Sequence, residues 1–201
     1  MKPEYLSASR ITQYLMCPQK YYLQYEEKVE WDFTPSNLVL GSAVHSALEG
    51  YYNTWDSEGL KLTTDDLLGL FEDAWEDDKP FEPSVDPETT KQVGIGLLTA
   101  FSETVDPGII RGVEERFRIP LVNPETGEYL IDLVGIFDLI EADETGNLSI
   151  IDHKTCAKRP SDTDLDQHLQ LTCYGYATRI LQGLEDESIL MRIDCLVKNK
   201  K

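Results

Sequence analysis

The sequence predicts a mixed α/β (α+β) chain with helices in its first half and strand, strand, strand, helix, strand in its second. Three observations carry that expectation. Capped, helix-type stretches fill the residues before Pro107-Gly108, which break the chain. From about Ile110 onward, apolar residues recur in strand-type runs separated by turn-rich segments. One helix-type stretch, about Leu165 to Gln182, interrupts those runs before the last strand.

Ser7 and Ser9 are good N-caps for a helix reaching about Tyr25. Pro18 should kink or split it. Tyr14, Tyr21, Tyr25, Leu15 and Tyr22 give it an aromatic-rich face, for which core packing is the expected role. Residues 28–37 read as a loop with Pro35 and Ser36 before the next helix, about Leu38 to Asp56. There Gly41, His45 and Glu49 are four apart and line one face. Gly41 would let another backbone approach. A helical histidine is most often structural, but His45 can also be a ligand with Glu49 behind it.

Thr63 or Thr64 caps a third helix to about Asp78. A loop with Pro80, Pro83 and Pro87 leads to a fourth, about Glu88 to Thr104. Residues 56–106 carry 14 acidic and 3 basic residues, and read as an acidic helical insertion or lid within a single domain spanning 1–201. The first strand runs from about Ile110 to Leu121, and Asn123–Glu128 is a turn. The last strand, Ser188 to Val197, precedes the basic end Lys198-Asn199-Lys200-Lys201.

The stretch from Ile131 to Lys154 places aspartates where apolar residues would be expected. Asp138 should share a face with Val134, Ile136 and Ile140 in a strand buried on both sides. Ile150, Asp152 and Lys154 share a face of the next strand. A hairpin centred near Thr145, with Gly146 supplying any positive φ, sets Asp138 opposite Asp152. Two carboxylates so placed repel, and a divalent cation between them removes the conflict. Lys154 then points to the same side. An isolated D-x-K is usually a solvated surface feature; here the charges interrupt hydrophobic strands. A slip of one residue would separate the aspartates onto opposite faces.

With 41% hydrophobic and 27% charged residues, the 201-residue chain reads as an ordinary globular domain. It has no apolar stretch of about 18 residues and no signal-peptide pattern, so no membrane partner and a cytoplasmic setting are expected. The formal net charge of −19 argues against a polyanionic partner, except that the acidic segment carries −11 of it. Charges beyond about 10 Å are screened, so a remote acidic lobe leaves a local site intact. The four cysteines, Cys17, Cys156, Cys173 and Cys195, contain no C-x-x-C pair and are expected as free thiols.

Taken in order, these segments resemble the PD-(D/E)XK nuclease superfamily. Its RecB-like branch, which includes CRISPR-associated adaptation nucleases and phage recombination exonucleases, is the nearer likeness. The resemblance runs from SxSRxxxYxxCPxKYYL at Ser7–Leu23 through G-x-x-x-H-x-x-L-E at Gly41, His45, Leu48 and Glu49. It continues with G-x-x-D at Gly135 and Asp138, D-x-K at Asp152 and Lys154, and Q-x-x-x-Y at Gln170 and Tyr174.

That resemblance implies a restriction-endonuclease-like αβββαβ core with a central mixed sheet and an N-terminal helical subdomain. It implies Mg²⁺ or Mn²⁺ held by His45, Asp138, Asp152 and the backbone carbonyl of His153. Lys154 would activate the attacking water and stabilise the transition state, with Gln170 and Tyr174 positioning DNA or the lysine. Glu114, at the family's first-strand acid, would assist the metal. Many relatives also carry an iron–sulfur cluster on a cysteine of the CP segment and three more near the C-terminus. Cys17 fits the first position, and Cys156, Cys173 and Cys195 do not resemble the rest. A fragment ending before those ligands is favoured over a chain lacking the cluster.

The function so implied is a metal-dependent DNA nuclease, an exonuclease of recombination, repair or phage replication, working with recombination or repair proteins. The main rival is a catalytically weak DNA-end binding module of a larger recombination machine. An unrelated α+β binding domain with a coincidental D-x-K is the third reading.

Overall fold

The computed structural model describes residues 3–76, 80–183 and 189–198. Ser7 caps the first helix, its hydroxyl accepting Arg10 N–H at 3.2 Å, and α1 runs Ala8–Met16. Pro18 splits the expected long helix: Cys17 leaves helical geometry at φ −160°, and α2 (Pro18–Tyr21) runs into one π-helical turn, Tyr22–Glu26. The aromatic face is not core. α1 buries none of its residues, and Tyr14, Leu15 and Met16 are 54%, 73% and 70% exposed. The rings pack on one another instead, Tyr14–Tyr21 at 5.6 Å and Tyr21–Tyr25 at 5.1 Å. The Arg10 guanidinium is stacked over Tyr5 and Tyr25. Only Leu6 and Ala8, just before and at the start of α1, reach the neighbouring core.

α3 (Ser36–Glu58) buries Val39, Leu40, Ala43, Val44, Ala47, Leu48, Tyr51 and Tyr52, the three-and-four spacing of one helical stripe. α4 (Thr64–Asp73) starts at a reciprocal Thr63–Asp66 capping box, and α5 (Pro87–Thr104) at an Asp86 cap. Their Leu67, Phe71, Leu97, Leu98 and Phe101 join α3 in one core. The described part of the acidic segment is therefore packed into the body of the fold, with most of its charges outward and Glu82 turned onto Ser36. Close approach falls at Gly94, where a Cβ would sit 2.4 Å from Phe71. At Gly41, where it was expected, a Cβ would meet nothing within 4 Å.

The sheet contains β2 (Ile109–Val122), β3 (Tyr129–Ala142), β4 (Leu148–Cys156) and β5 (Ile189–Val197). An unanticipated two-residue strand, β1 (Tyr5–Leu6), pairs parallel with β3 at Asp132 and Leu133. β2 and β3 are antiparallel along nearly their whole length, β3 and β4 antiparallel over Leu139–Ala142, and β4 and β5 parallel. Because β2 fills one edge of β3, β1 and β4 share the other, leaving residues 134–138 without a strand partner there among the described residues. A short α6 (Asp162–Asp166) precedes α7 (Leu169–Gln182), so the expected single helix is broken at Gln167 and His168.

The expected hairpin register holds: Leu139 faces Ile151 and Ile140 faces Ile150, which centres the turn on Thr145. Asp143 fixes that turn by accepting from Thr145 N and Oγ1 and from Asn147 N and Nδ2 at 2.7–2.9 Å. Gly146 takes φ +92°.

The expected faces of β3 do not hold throughout. Leu133 and Phe137 pack on the α7 side with Phe117 and Ile119. Leu139, two residues after Phe137, packs on the α3 side with Ile110 and Ile151. Even spacing should keep these on one face, so the pleat inverts at Asp138. Ile140 consequently joins the α7-side core while Val134 and Ile136, its expected companions, are half-buried and belong to neither core. β2 inverts in step: Val113 lies on the α3 side, Phe117 on the α7 side, and Glu114 between them has φ +51°.

Among the described residues, no helix is long and apolar enough to cross a membrane. Asp78, the expected end of the third helix, lies outside the described residues. So do Ser188 and the basic end at Asn199, Lys200 and Lys201.

Candidate metal and catalytic centre

The inverted rung places acids from two strands under a helix. Carried one step beyond Leu139↔Ile151 and Val113↔Leu139, the registers set Asp138 across from both Asp152 and Glu114. Asp138 Oδ2 accepts His153 N–H at 2.8 Å, the first amide past the β3–β4 ladder on that side. Burial pushes the Asp138 carboxyl up to about 6, and nearby Asp152 adds to the rise against the pull of His45.

α3 lowers His45 onto this rung. Its Nδ1 lies 3.6 Å from Asp138 Oδ2 and 3.9 Å from Glu114 Oε1, and its Nε2 donates to the His153 carbonyl at 2.9 Å. Burial disfavours its proton, but Glu114 and Asp138 outweigh that and leave the imidazole pKa raised. Ligand atoms of His45, Glu114 and Asp138 all lie within 4.8 Å of one another, the sole such group of His, Cys, Asp and Glu among the described residues. With Nε2 given to a carbonyl, a neutral His45 turns a lone pair toward two carboxylates. That donor set fits a cation.

Asp152 stands beside the group without being one of the three. It is fully buried, and Lys154 Nζ lies 2.8 Å from each of its oxygens. Only Oδ1 is hydrogen-bonded; Oδ2 is within ion-pair range but off the hydrogen-bond direction, a buried acceptor left open. Tyr174 O–H points at Oδ1 over 3.4 Å and itself accepts from Gln170 Nε2 at 2.8 Å. Burial, then Asp152 and Asp138, raise the Tyr174 pKa, so it stays a phenol donor.

Of the residues singled out in the sequence, His45, Glu114, Asp138, Asp152, Lys154, Gln170 and Tyr174 thus converge. The carbonyl of His153 is present too, but engaged by His45. Glu49 is exposed. The sequence reading missed Tyr52, whose ring stacks on the buried His153 ring at 5.5 Å and 27°. Burial pulls His153 down to about 3, so it is neutral packing material. Tyr52 lies seven residues after His45, two turns along the same stripe, and that spacing was the available signal.

The four cysteines do not gather into one cluster. Cys173 is buried in the α7-side core, Cys17 sits half-buried between α1 and α2, and Cys156 and Cys195 lie on β4 and β5. These four do not fit an iron–sulfur cluster, and no step is assigned to one.

The family model of the PD-(D/E)XK nuclease superfamily matches residues 5–197, and the chain belongs to that superfamily. It is 28% identical over 216 residues to a subunit of the ATP-dependent helicase/deoxyribonuclease from Clostridium botulinum, covering 93% of this chain. It is 26% identical over 219 residues to the protein of the same description from Clostridioides difficile, covering 94%. In both cases the chain spans 18% of the relative's length.

Proposed function

We propose that this domain is a Mg²⁺- or Mn²⁺-dependent deoxyribonuclease acting from DNA ends, in the cytoplasm, within recombination or repair and beside partner proteins. One observation carries the reading: three ligand atoms from α3, β2 and β3 converge within 4.8 Å, next to a buried Asp152 oxygen that accepts no hydrogen bond. His45, Glu114, Asp138 and the open oxygen of Asp152 are the residues that would hold the metal. When bound, the ion lowers the pKa of a water ligand and polarises a phosphoryl oxygen.

The chain's own residues supply the rest. The Lys154 ammonium, with donors to spare beyond Asp152, faces the attacking water and the charge that develops on phosphate. Tyr174 holds the Asp152 carboxylate in its rotamer, and Gln170 holds Tyr174. The His45–His153 bond ties α3 to β4 and fixes the helix over the rung. The close Lys154–Asp152 pairing favours a second reading, a DNA-end binding module with weak cleavage.

End-labelled linear and closed circular DNA, each with Mg²⁺, Mn²⁺ or chelator, decides between them. Metal-dependent loss of linear DNA with circles spared is the expected result. Retention of DNA ends without cleavage in either metal leaves the binding module. Equal attack on circles replaces end-dependence with internal cutting.

A further inference from the structure

Two of the four cysteines form a pair outside the centre described above. In the parallel β4–β5 ladder, Lys154 faces Cys195 and Cys156 faces Val197. Facing residues point to one side of the sheet, and residues two apart on a strand share that side. Cys195 therefore sits directly across from Lys154, and Cys156 two residues further along Lys154's own strand, all on one face. Burial first, then the hydrogen bond that Cys195 S–H donates to Cys156, raises the Cys195 thiol to about 11. Both thiols are free and half-buried. Cys195 also lines a groove of about 1010 Å³ that runs along β5 between α5 and the segment from Arg159 to Leu165. The groove opens Cys195 to small solutes beside the Arg159 cation, and Cys156 is itself only half-buried.

We infer that Cys156 and Cys195 are a redox-sensitive dithiol that closes to a disulfide under peroxide and draws Lys154 away from the catalytic centre. In the first step Cys156 sulfur attacks hydrogen peroxide: an S–O bond forms, the O–O bond breaks, and hydroxide leaves as water. Cys195 sulfur then displaces the hydroxyl of that sulfenic acid as a second water, forming S–S. Two thiols lose two protons and two electrons, and one peroxide becomes two waters.

The geometry supplies the lever. Strands about 4.8 Å apart with a rise of about 3.3 Å per residue put these diagonal Cα atoms about 8 Å apart. A disulfide spans about 4.4–6.8 Å. Closure therefore shears the ends of β4 and β5 by about 1 Å or more. β5 pairs only with β4 among the described strands, so it can slide. A bond closed against that resistance is easily reduced, the behaviour of labile, regulatory disulfides. Displacement of a catalytic group by about 1 Å costs about 10²-fold in rate.

The cross-link stands on the ladder alone, whereas its effect on cleavage rests on the proposed nuclease activity. The test treats the whole chain with hydrogen peroxide, alkylates the remaining thiols, and maps peptides by mass. A Cys156–Cys195 peptide pair lacking two hydrogens, with Cys17 and Cys173 still alkylated, is expected. Cleavage of linear DNA should fall by about 10²-fold and return with dithiothreitol. C156S and C195S should cleave normally and ignore peroxide. Oxidation that stops at sulfenic or higher acids, or that links Cys17, overturns the dithiol. A mapped cross-link with unchanged cleavage overturns the displacement of Lys154. If the untreated chain cleaves nothing, the nuclease reading falls and the mass map alone decides the dithiol.

Discussion

Lys154 and Asp152 form a closed pair: the ammonium nitrogen lies 2.8 Å from each oxygen of a fully buried carboxylate, yet only one of those oxygens is hydrogen-bonded. The lysine thus serves the aspartate before it serves any substrate. Lys154→Ala should lower cleavage by about 10²–10³ while Mn²⁺ uptake, measured by calorimetry, persists. Leaving Asp152 buried with one weak donor should also destabilise the metal-free protein by about 1–3 kcal/mol. Unmodified cleavage by this variant would reduce the D-x-K to its acid.

The ligand set predicts an order of effects. Asp138→Asn removes the carboxylate that lies nearest His45 and should abolish Mn²⁺ binding. Asp152→Asn should weaken metal binding as well as cleavage. Glu114→Gln and His45→Ala should each weaken Mn²⁺ by about tenfold or more, since outer partners alone are worth about 10–100-fold. Glu114→Gln with unchanged affinity would remove β2 from the centre.

Gly135 is required by an aromatic ring. A Cβ there would lie 2.4 Å from Phe117 Cζ, and Phe117 is held against Phe137 at 4.7 Å. Gly135→Ala should cost about 1–3 kcal/mol by overpacking, read by urea denaturation. Adding Phe117→Leu should return part of that loss. Additive losses would show that the ring is not the obstacle.

Asp143 sets the hairpin register, and its four accepted hydrogen bonds, the Thr145 hydroxyl's first and the Asn147 side-chain amide's next, hold its carboxyl down at about 2. The folded pKa is depressed below the ordinary 3.8. Its contribution is therefore complete above about pH 4 and is lost as pH falls through about 2. Asp143→Ala should lower the melting temperature at pH 7, and the gap to the unmodified protein should close toward pH 2. A gap that persists at pH 2 would assign the loss to packing.

The turn around Thr145 was legible because Gly146 and the two-residue period specify one register; the part Asp143 plays in it emerged only from the structure. From that register the neighbourhood of Asp138 and Asp152 followed. The inversion of the pleat did not, because it depends on the backbone of Glu114 at φ +51°, a conformation that side-chain type scarcely signals. The N-terminal tyrosines show another limit. Periodicity reports that a helix has an apolar face but not what lies against it, and these rings pack mainly on each other. β1 is two residues long, too short for any pattern to register. Gly41 and Gly94 read alike in sequence, and the packing of Phe71 and Leu40 against Gly94 separates them.

The unpaired edge of β3 gives the centre a mechanical character of its own. Between β1 and β4, residues 134–138 are joined across that side by a side chain, the Asp138 carboxylate on the His153 amide, and by no strand among the described residues. Opening this seam breaks few backbone bonds and leaves both cores assembled, so it is a local event rather than a step toward unfolding. Amide hydrogens there should exchange faster than those of residues 139–142, where β4 is paired. A cation bridging Asp138 to its neighbours should slow them. Under the proposed function, this seam would let the rung open around an incoming phosphate while the rest of the sheet keeps its register.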